Sequence, residues 1–249
     1  MKLFSLLAVA TLLFSCSPKI KATKTDNING NIKTGADQTE LYLPLLKGKT
    51  IGIVTNQTGI LSNKTHLVDF LLEKKVTIQT IFAPEHGFRG TADAGELIKD
   101  GKDTQTGLPI ISLYGDNKKP KPEQLAGIDI VIFDIQDVGV RFYTYISTLS
   151  YLMEAGAENN VEIMVLDRPN PHDGYIDGPV LRKKWASFVG LHEVPVVYGL
   201  TIGEYGKMVN GEKWLKNHFA ISDFFFDENR HGSHTTRIER QGDDLFAVL

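Results

Sequence analysis

Three observations predict an α/β domain built on a mostly parallel sheet. Short apolar runs alternate with segments of helical periodicity, the pattern of successive βαβ units. The run at residues 128–135, IDIVIFDI, is continuous rather than alternating, as in a strand buried on both faces. Each main apolar run also ends in a polar cluster containing Gly or Pro: TNQTG, APEHGFRG, DIQDVGVRFYTY and DRPNP. The 249 residues, 42% hydrophobic and 23% charged, have an ordinary globular composition that excludes wholesale disorder, a collagen and a polytopic membrane protein. Lys and Arg number 27 against 30 Asp and Glu, so charge offers no reason to expect a nucleic acid partner.

The chain opens with Met1-Lys2, an apolar run over residues 3–14, and Ser15-Cys16. A cationic start followed by about a dozen apolar residues reads as a secretory signal. It is shorter than the roughly 20 residues a permanent membrane helix needs. LFSC over residues 13–16 resembles the bacterial lipobox, which makes Cys16 the expected site of lipidation and residues 1–16 the signal peptide. Residues 17–39 are rich in Lys, Thr, Asn, Gly and Asp and read as a flexible tether. The expected address is the cell envelope, lipid-anchored to a membrane through Cys16 and facing the periplasm.

The folded part follows. Residues 49–55 (KTIGIVT) form a β-branched run that stops at the turn cluster after Thr55. His66, Leu67, Phe70 and Leu71 fall at helical spacing and predict a helix ending at Lys74-Lys75. Residues 76–82 and 110–114 are further strands, then 128–135. Tyr145, Ile146, Leu149, Leu152, Met153 and Gly156 predict a helix, residues 162–166 a strand, and Thr201 the start of another helix. We place the α/β domain at residues 40–198 and the start of a C-terminal region at 199–249.

Ligands of open parallel sheets bind beyond the carboxyl ends of the strands, where the polar clusters lie. Glu85, His86 and Arg89 stand within five positions among glycines. Glu85, desolvated between Phe82 and Phe88, would have a raised pKa and donate a proton; the alternative is a turn in which it pairs with Arg89. Asp134, Gln136 and Asp137 end the strongest strand, and Arg141 could clamp a carboxylate through two parallel hydrogen bonds. Tyr143 and Tyr145 offer hydroxyls and flat faces suited to a sugar ring. Alternatively, Asp134 or Asp137 caps the next helix and Arg141 neutralises it. Arg168 is a second anion contact, or the partner of Asp167.

Several chemistries lack their motifs. One cysteine excludes an intrachain disulfide, a zinc ribbon and an iron–sulfur site within a single chain. The seven histidines form no HExxH pattern, so no metal is expected; His231 and His234 stand three apart in the tail. A Walker loop, a GxGxxG turn between strand and helix, and a GxSxG elbow are all absent, so no cofactor is expected.

Read together, GIVTNQTGI, APEHGFRG, DIQDVGVRFYTYISTL and VLDRPNP followed by DGPV resemble the bacterial exo-β-N-acetylmuramidase family from about residue 41 to 215. The resemblance implies a Rossmann-like domain, a mostly parallel sheet with helices on both faces, followed by a smaller domain. The implied reaction removes N-acetylmuramic acid from the non-reducing ends of peptidoglycan fragments. Glu85 would be the main catalytic carboxyl, with Asp134 or Asp137 as base or nucleophile. Asn56, His86, Arg89, Arg141, Tyr143, Asp167 and Arg168 would bind the sugar, an arginine taking its lactyl carboxylate. Substrate assistance by the 2-acetamido group is also open, one carboxyl then orienting the amide. From about residue 219 the text departs from the family pattern and its later EGRGTT stretch is absent, so residues 199–249 are expected to be truncated or divergent. In that case apolar surface is left exposed, and a sugar-binding lipoprotein without turnover is the alternative.

Overall fold

The computed structural model describes residues 33–90, 100–216 and 246–248. The expected signal peptide, Cys16, most of the expected tether and His231 with His234 lie outside them. In chain order the elements are α1 (Thr39–Tyr42), β1 (Thr50–Thr55), α2 (Leu67–Glu73), β2 (Thr77–Ala83), β3 (Gly101–Lys102), β4 (Pro109–Ser112), α3 (Pro122–Leu125), β5 (Ile130–Asp134), α4 (Tyr145–Asn159), β6 (Glu162–Val165), α5 (Ile202–Gly211) and β7 (Phe246–Val248). Among the described residues the strands form one sheet in the order β3-β4-β2-β1-β5-β6-β7. Every pairing is parallel except that of the two-residue edge strand β3 with β4. The expected α/β fold with a mostly parallel sheet is present.

Strand parity decides which core each side chain enters. Ile130 and Ile132 join Ile51, Ile53 and Ile81 on one face, under Leu67, Val68 and Leu71 of α2. Val131 and Phe133 join Val54, Phe82 and Val165 on the other, under Leu149, Leu152 and Met153 of α4 and Ile202, Tyr205 and Val209 of α5. All five residues of β5 are buried, which explains the absence of alternation in that run. Helix α4 ends at Asn160, which takes the left-handed conformation (φ 55°) while the Val161 N–H donates to the Gly156 carbonyl at 2.9 Å.

Two boundaries differ from those drawn on composition. Residues 35–39, assigned to the tether, pack on the domain: Ala36 is wholly buried and accepts a hydrogen bond from the Tyr42 hydroxyl, and the Gly35 N–H donates to the Asp167 carbonyl at 2.7 Å. Helix α5, placed beyond the domain, belongs to the same core as α4. Its N-terminus is closed by a capping box in which the Thr201 hydroxyl accepts from the Glu204 N–H. Asp167 adds a carboxylate at that end, accepting from Gly203 N–H at 2.9 Å and from the Thr201 hydroxyl at 2.5 Å. Between β6 and α5 an irregular excursion, pinned by a bridge of Asp177 to Val197, exposes Ile176, Val180, Trp185 and Val189.

His192, buried beneath α5 with Nδ1 2.9 Å from the Tyr205 hydroxyl, carries a pH-dependent part of the stability. Burial pushes its imidazole down from 6.5 to about 4, so the folded state resists a proton that the unfolded chain accepts. The stability contributed by the neutral ring is complete above about pH 6.5 and is lost as pH falls toward 4. Asp167, pushed up by burial to about 6, titrates in the same window with the opposite sign, so the comparison is made against a variant that shares it. We expect the stability difference between wild type and His192→Gln, from urea unfolding, to shrink by on the order of 2–3 kcal/mol between pH 7 and pH 4.

Candidate active site

The sheet order reverses direction between β1 and β5: β2 and β4 lie to one side of β1, β5 and β6 to the other. The crevice at the carboxyl ends of such a pair is the natural binding place in an open α/β sheet. Three of the polar clusters arrive there, because β1 ends at Thr55, its register partner Asp134 ends β5, and β2 ends at Ala83, two residues before Glu85.

Glu85 follows Pro84 in a turn closed by the Gly87 N–H on the Pro84 carbonyl, with His86 (φ 71°) and Gly87 (φ 75°) both left-handed. His86 is a non-glycine residue in that region, a conformation that persists where the surrounding structure holds it. The Glu85 Oε2 accepts from the Thr144 hydroxyl at 3.1 Å, at the N-cap of the fifteen-residue helix α4. Tyr114, beyond β4, also hydrogen-bonds Glu85; burial first, then the carboxylate, pushes its phenol up. Phe82 and Phe88, expected to desolvate Glu85, lie in the cores on opposite faces of the sheet, and Glu85 itself is half-buried among hydroxyls.

Asn56 and Tyr145 meet at the floor of the crevice, Nδ2 donating to the phenol oxygen at 3.1 Å. Asp137 is buried. Its Oδ2 accepts from Gly139 N–H at 2.8 Å and from the Tyr198 hydroxyl, while Oδ1 has no partner among the described residues. Burial pushes this carboxyl up, against the donors from Tyr198 and the backbone. Gly139 (φ 76°) makes the turn possible: a Cβ there would fall 2.0 Å from Asn170 Oδ1. Tyr143 is exposed just before Thr144, its ring 5.7 Å from that of Phe142.

Other expected site residues are engaged elsewhere. Asp134, expected as a second catalytic carboxyl, is wholly buried and held by Arg168, with Nε to Oδ1 at 2.6 Å and Nη2 to Oδ2 at 3.1 Å. Arg168, expected to bind an anion, also donates to the Ile60 carbonyl and has no free face to offer. Asp167, expected in the pocket, caps α5. Arg89 donates to both oxygens of Asp103 and reaches Asp69, joining its loop to α2; its charge holds Asp103 well below the usual carboxylate range. Arg141 donates to the Pro179 and Val194 carbonyls and braces the excursion between β6 and α5. It is the one of the three arginines without a carboxylate partner among the described residues.

Thr144, Tyr114 and Tyr198 enter the site although the sequence marked none of them as functional. Thr144 had a signal in its place immediately before an amphipathic run, the N-cap position. No cluster of three His, Cys, Asp or Glu side chains that could hold a metal occurs among the described residues, and no helix among them is long and apolar enough to cross a membrane.

Residues 51–227 match the family described as Exo-beta-N-acetylmuramidase NamZ, N-terminal. Over 173 residues the chain is 50% identical to the Peptidoglycan beta-N-acetylmuramidase NamZ of Bacillus subtilis (strain 168), covering 69% of this chain and 42% of that protein. It is similar to two DUF1343 family proteins of Bacteroides fragilis known from crystal structures. BF0371 superposes with a TM-score of 0.69 at 44% identity, over 75% of this chain and 47% of that one. BF0379 gives 0.66 at 47% identity, over 75% and 48%. The chain thus spans less than half the length of each of these relatives.

Proposed function

Because the chain belongs to the family of exo-beta-N-acetylmuramidase NamZ N-terminal domains, we propose that it is a cell-wall glycosidase releasing N-acetylmuramic acid from the non-reducing ends of peptidoglycan fragments. The observation that carries this reading is Glu85. It sits at the carboxyl edge of the sheet beside the reversal of strand order, with Thr144 and Tyr114 orienting its carboxyl. Glycoside cleavage generally needs two carboxyl groups, one protonating the departing oxygen. Glu85 takes that part. Of the two aspartates considered for the other, Asp137 is favoured, since one of its oxygens is uncommitted while both oxygens of Asp134 are taken by Arg168. Muramic acid carries a lactyl carboxylate, and Arg141, the one of the three arginines without a carboxylate partner among the described residues, is the candidate to meet it.

The test is to incubate the purified protein with muramic-acid-terminated peptidoglycan fragments and follow free N-acetylmuramic acid by mass spectrometry. Time-dependent release is expected. Binding of the sugar by calorimetry with no release over days would favour the binding-only alternative. The envelope address is a further part of this proposal; a mature protein beginning at a lipid-modified Cys16, seen in a membrane fraction, is its expected signature.

A further inference from the structure

A chain of hydrogen bonds with only one possible direction runs into the candidate site, and it rests on backbone N–H groups whose role as donors is fixed. The Gln136 N–H donates to Thr58 Oγ1 at 2.9 Å, so the Thr58 hydroxyl must send its own proton elsewhere. It goes to Asn56 Oδ1 at 2.6 Å, and the Thr58 N–H donates to the same atom at 2.9 Å. Two donors converging on that atom identify it as the amide oxygen and settle the orientation of Asn56. Its Nδ2 therefore points at Tyr145 and donates to the phenol oxygen at 3.1 Å. Tyr145 is left with a proton that no acceptor among the described residues takes.

The phenol is held in this state. Burial, aided by the nearby carboxyls of Glu85 and Asp137, pushes Tyr145 up against the opposing hydrogen bond from Asn56, so the hydroxyl keeps its proton. Asn56, which the resemblance implied as a sugar contact, is wholly buried and acts through Tyr145. On the reading that the crevice receives an N-acetylmuramic acid residue, we infer that Tyr145 is a hydrogen-bond donor to an oxygen of the bound sugar, with Asn56 as the positioning residue that fixes the direction of its hydroxyl.

Calorimetry with N-acetylmuramic acid tests this on the whole chain. Tyr145→Phe removes the proton and retains the ring, and is expected to weaken binding about tenfold. Asn56→Asp replaces the donor by an acceptor that captures the phenol's proton, so it is expected to cause a similar loss with the phenol still present. The double variant should be no weaker than either single one, a non-additivity that a purely structural role would not produce. Thermal melting checks that each variant is folded; if Asn56→Asp is not, Tyr145→Phe decides alone. Wild-type binding with Tyr145→Phe unchanged overturns the inference and leaves the muramic acid reading standing. A folded Asn56→Asp that binds like wild type overturns the relay. No binding by wild type overturns the muramic acid reading itself, and the inference falls with it.

Discussion

Arg168→Met is expected to cost about 3–5 kcal/mol of folding stability, because it strips the partner from a carboxylate that has no contact with water. Asp134 is wholly buried at the end of the central strand, and both of its oxygens are occupied by the guanidinium. A loss of that size is a large share of the roughly 5–15 kcal/mol that holds a domain together. Burial already pushes the Asp134 carboxyl up, an effect the guanidinium opposes. In the variant the guanidinium no longer opposes it, so Asp134 takes a proton on folding at pH values where the unfolded chain remains ionised. The deficit should therefore shrink as pH falls toward 5. Urea unfolding at pH 7 and pH 5 measures both effects. A deficit under about 1 kcal/mol at pH 7 would mean that the pair contributes little beyond what solvent could supply.

Glu85→Gln is expected to reduce the release of N-acetylmuramic acid by about two to four orders of magnitude while leaving the KM close to that of wild type. The amide retains an oxygen that can accept the Thr144 hydroxyl now bonded to Oε2, so the loop should keep its shape and the Tm should hardly move. What is lost is a proton acidic enough to be transferred to the departing oxygen. A rate within tenfold of wild type would take the reacting role from Glu85 and direct attention to Asp137, the carboxyl at this edge with an uncommitted oxygen. Thr144→Ser, which preserves the hydroxyl, is the matching control and should remain active.

The strands and both cores were legible because they depend on local pattern. Parity along residues 130–133 sends Ile130 and Ile132 to one face and Val131 and Phe133 to the other, and the text of that run states as much. The arginines were not legible in the same way. Whether a guanidinium awaits a ligand or is already committed depends on which carboxylates lie beside it. Those carboxylates are far off in the chain: Asp134 for Arg168, Asp103 and Asp69 for Arg89. Asn56 stands at the expected edge of the sheet, but only the fold shows its amide wholly buried against the Tyr145 phenol. The edge of the folded region is hard to read for a related reason. Residues 35–39 look like linker by composition, yet a buried Ala36 and one hydrogen bond to the Asp167 carbonyl are enough to seat them.

That seating has a practical side. The polypeptide enters the domain at Gly35 next to Asp167, and Asp37 accepts from the Ser62 N–H, so the entrance lies on the same rim as Glu85. Anything that grips the polypeptide close to Gly35, whether a bead, a sensor chip or an affinity handle, draws that rim toward the support. Work on immobilised protein should therefore attach it from the opposite rim, where β1, β2 and β5 begin, and leave the edge that carries Glu85 open.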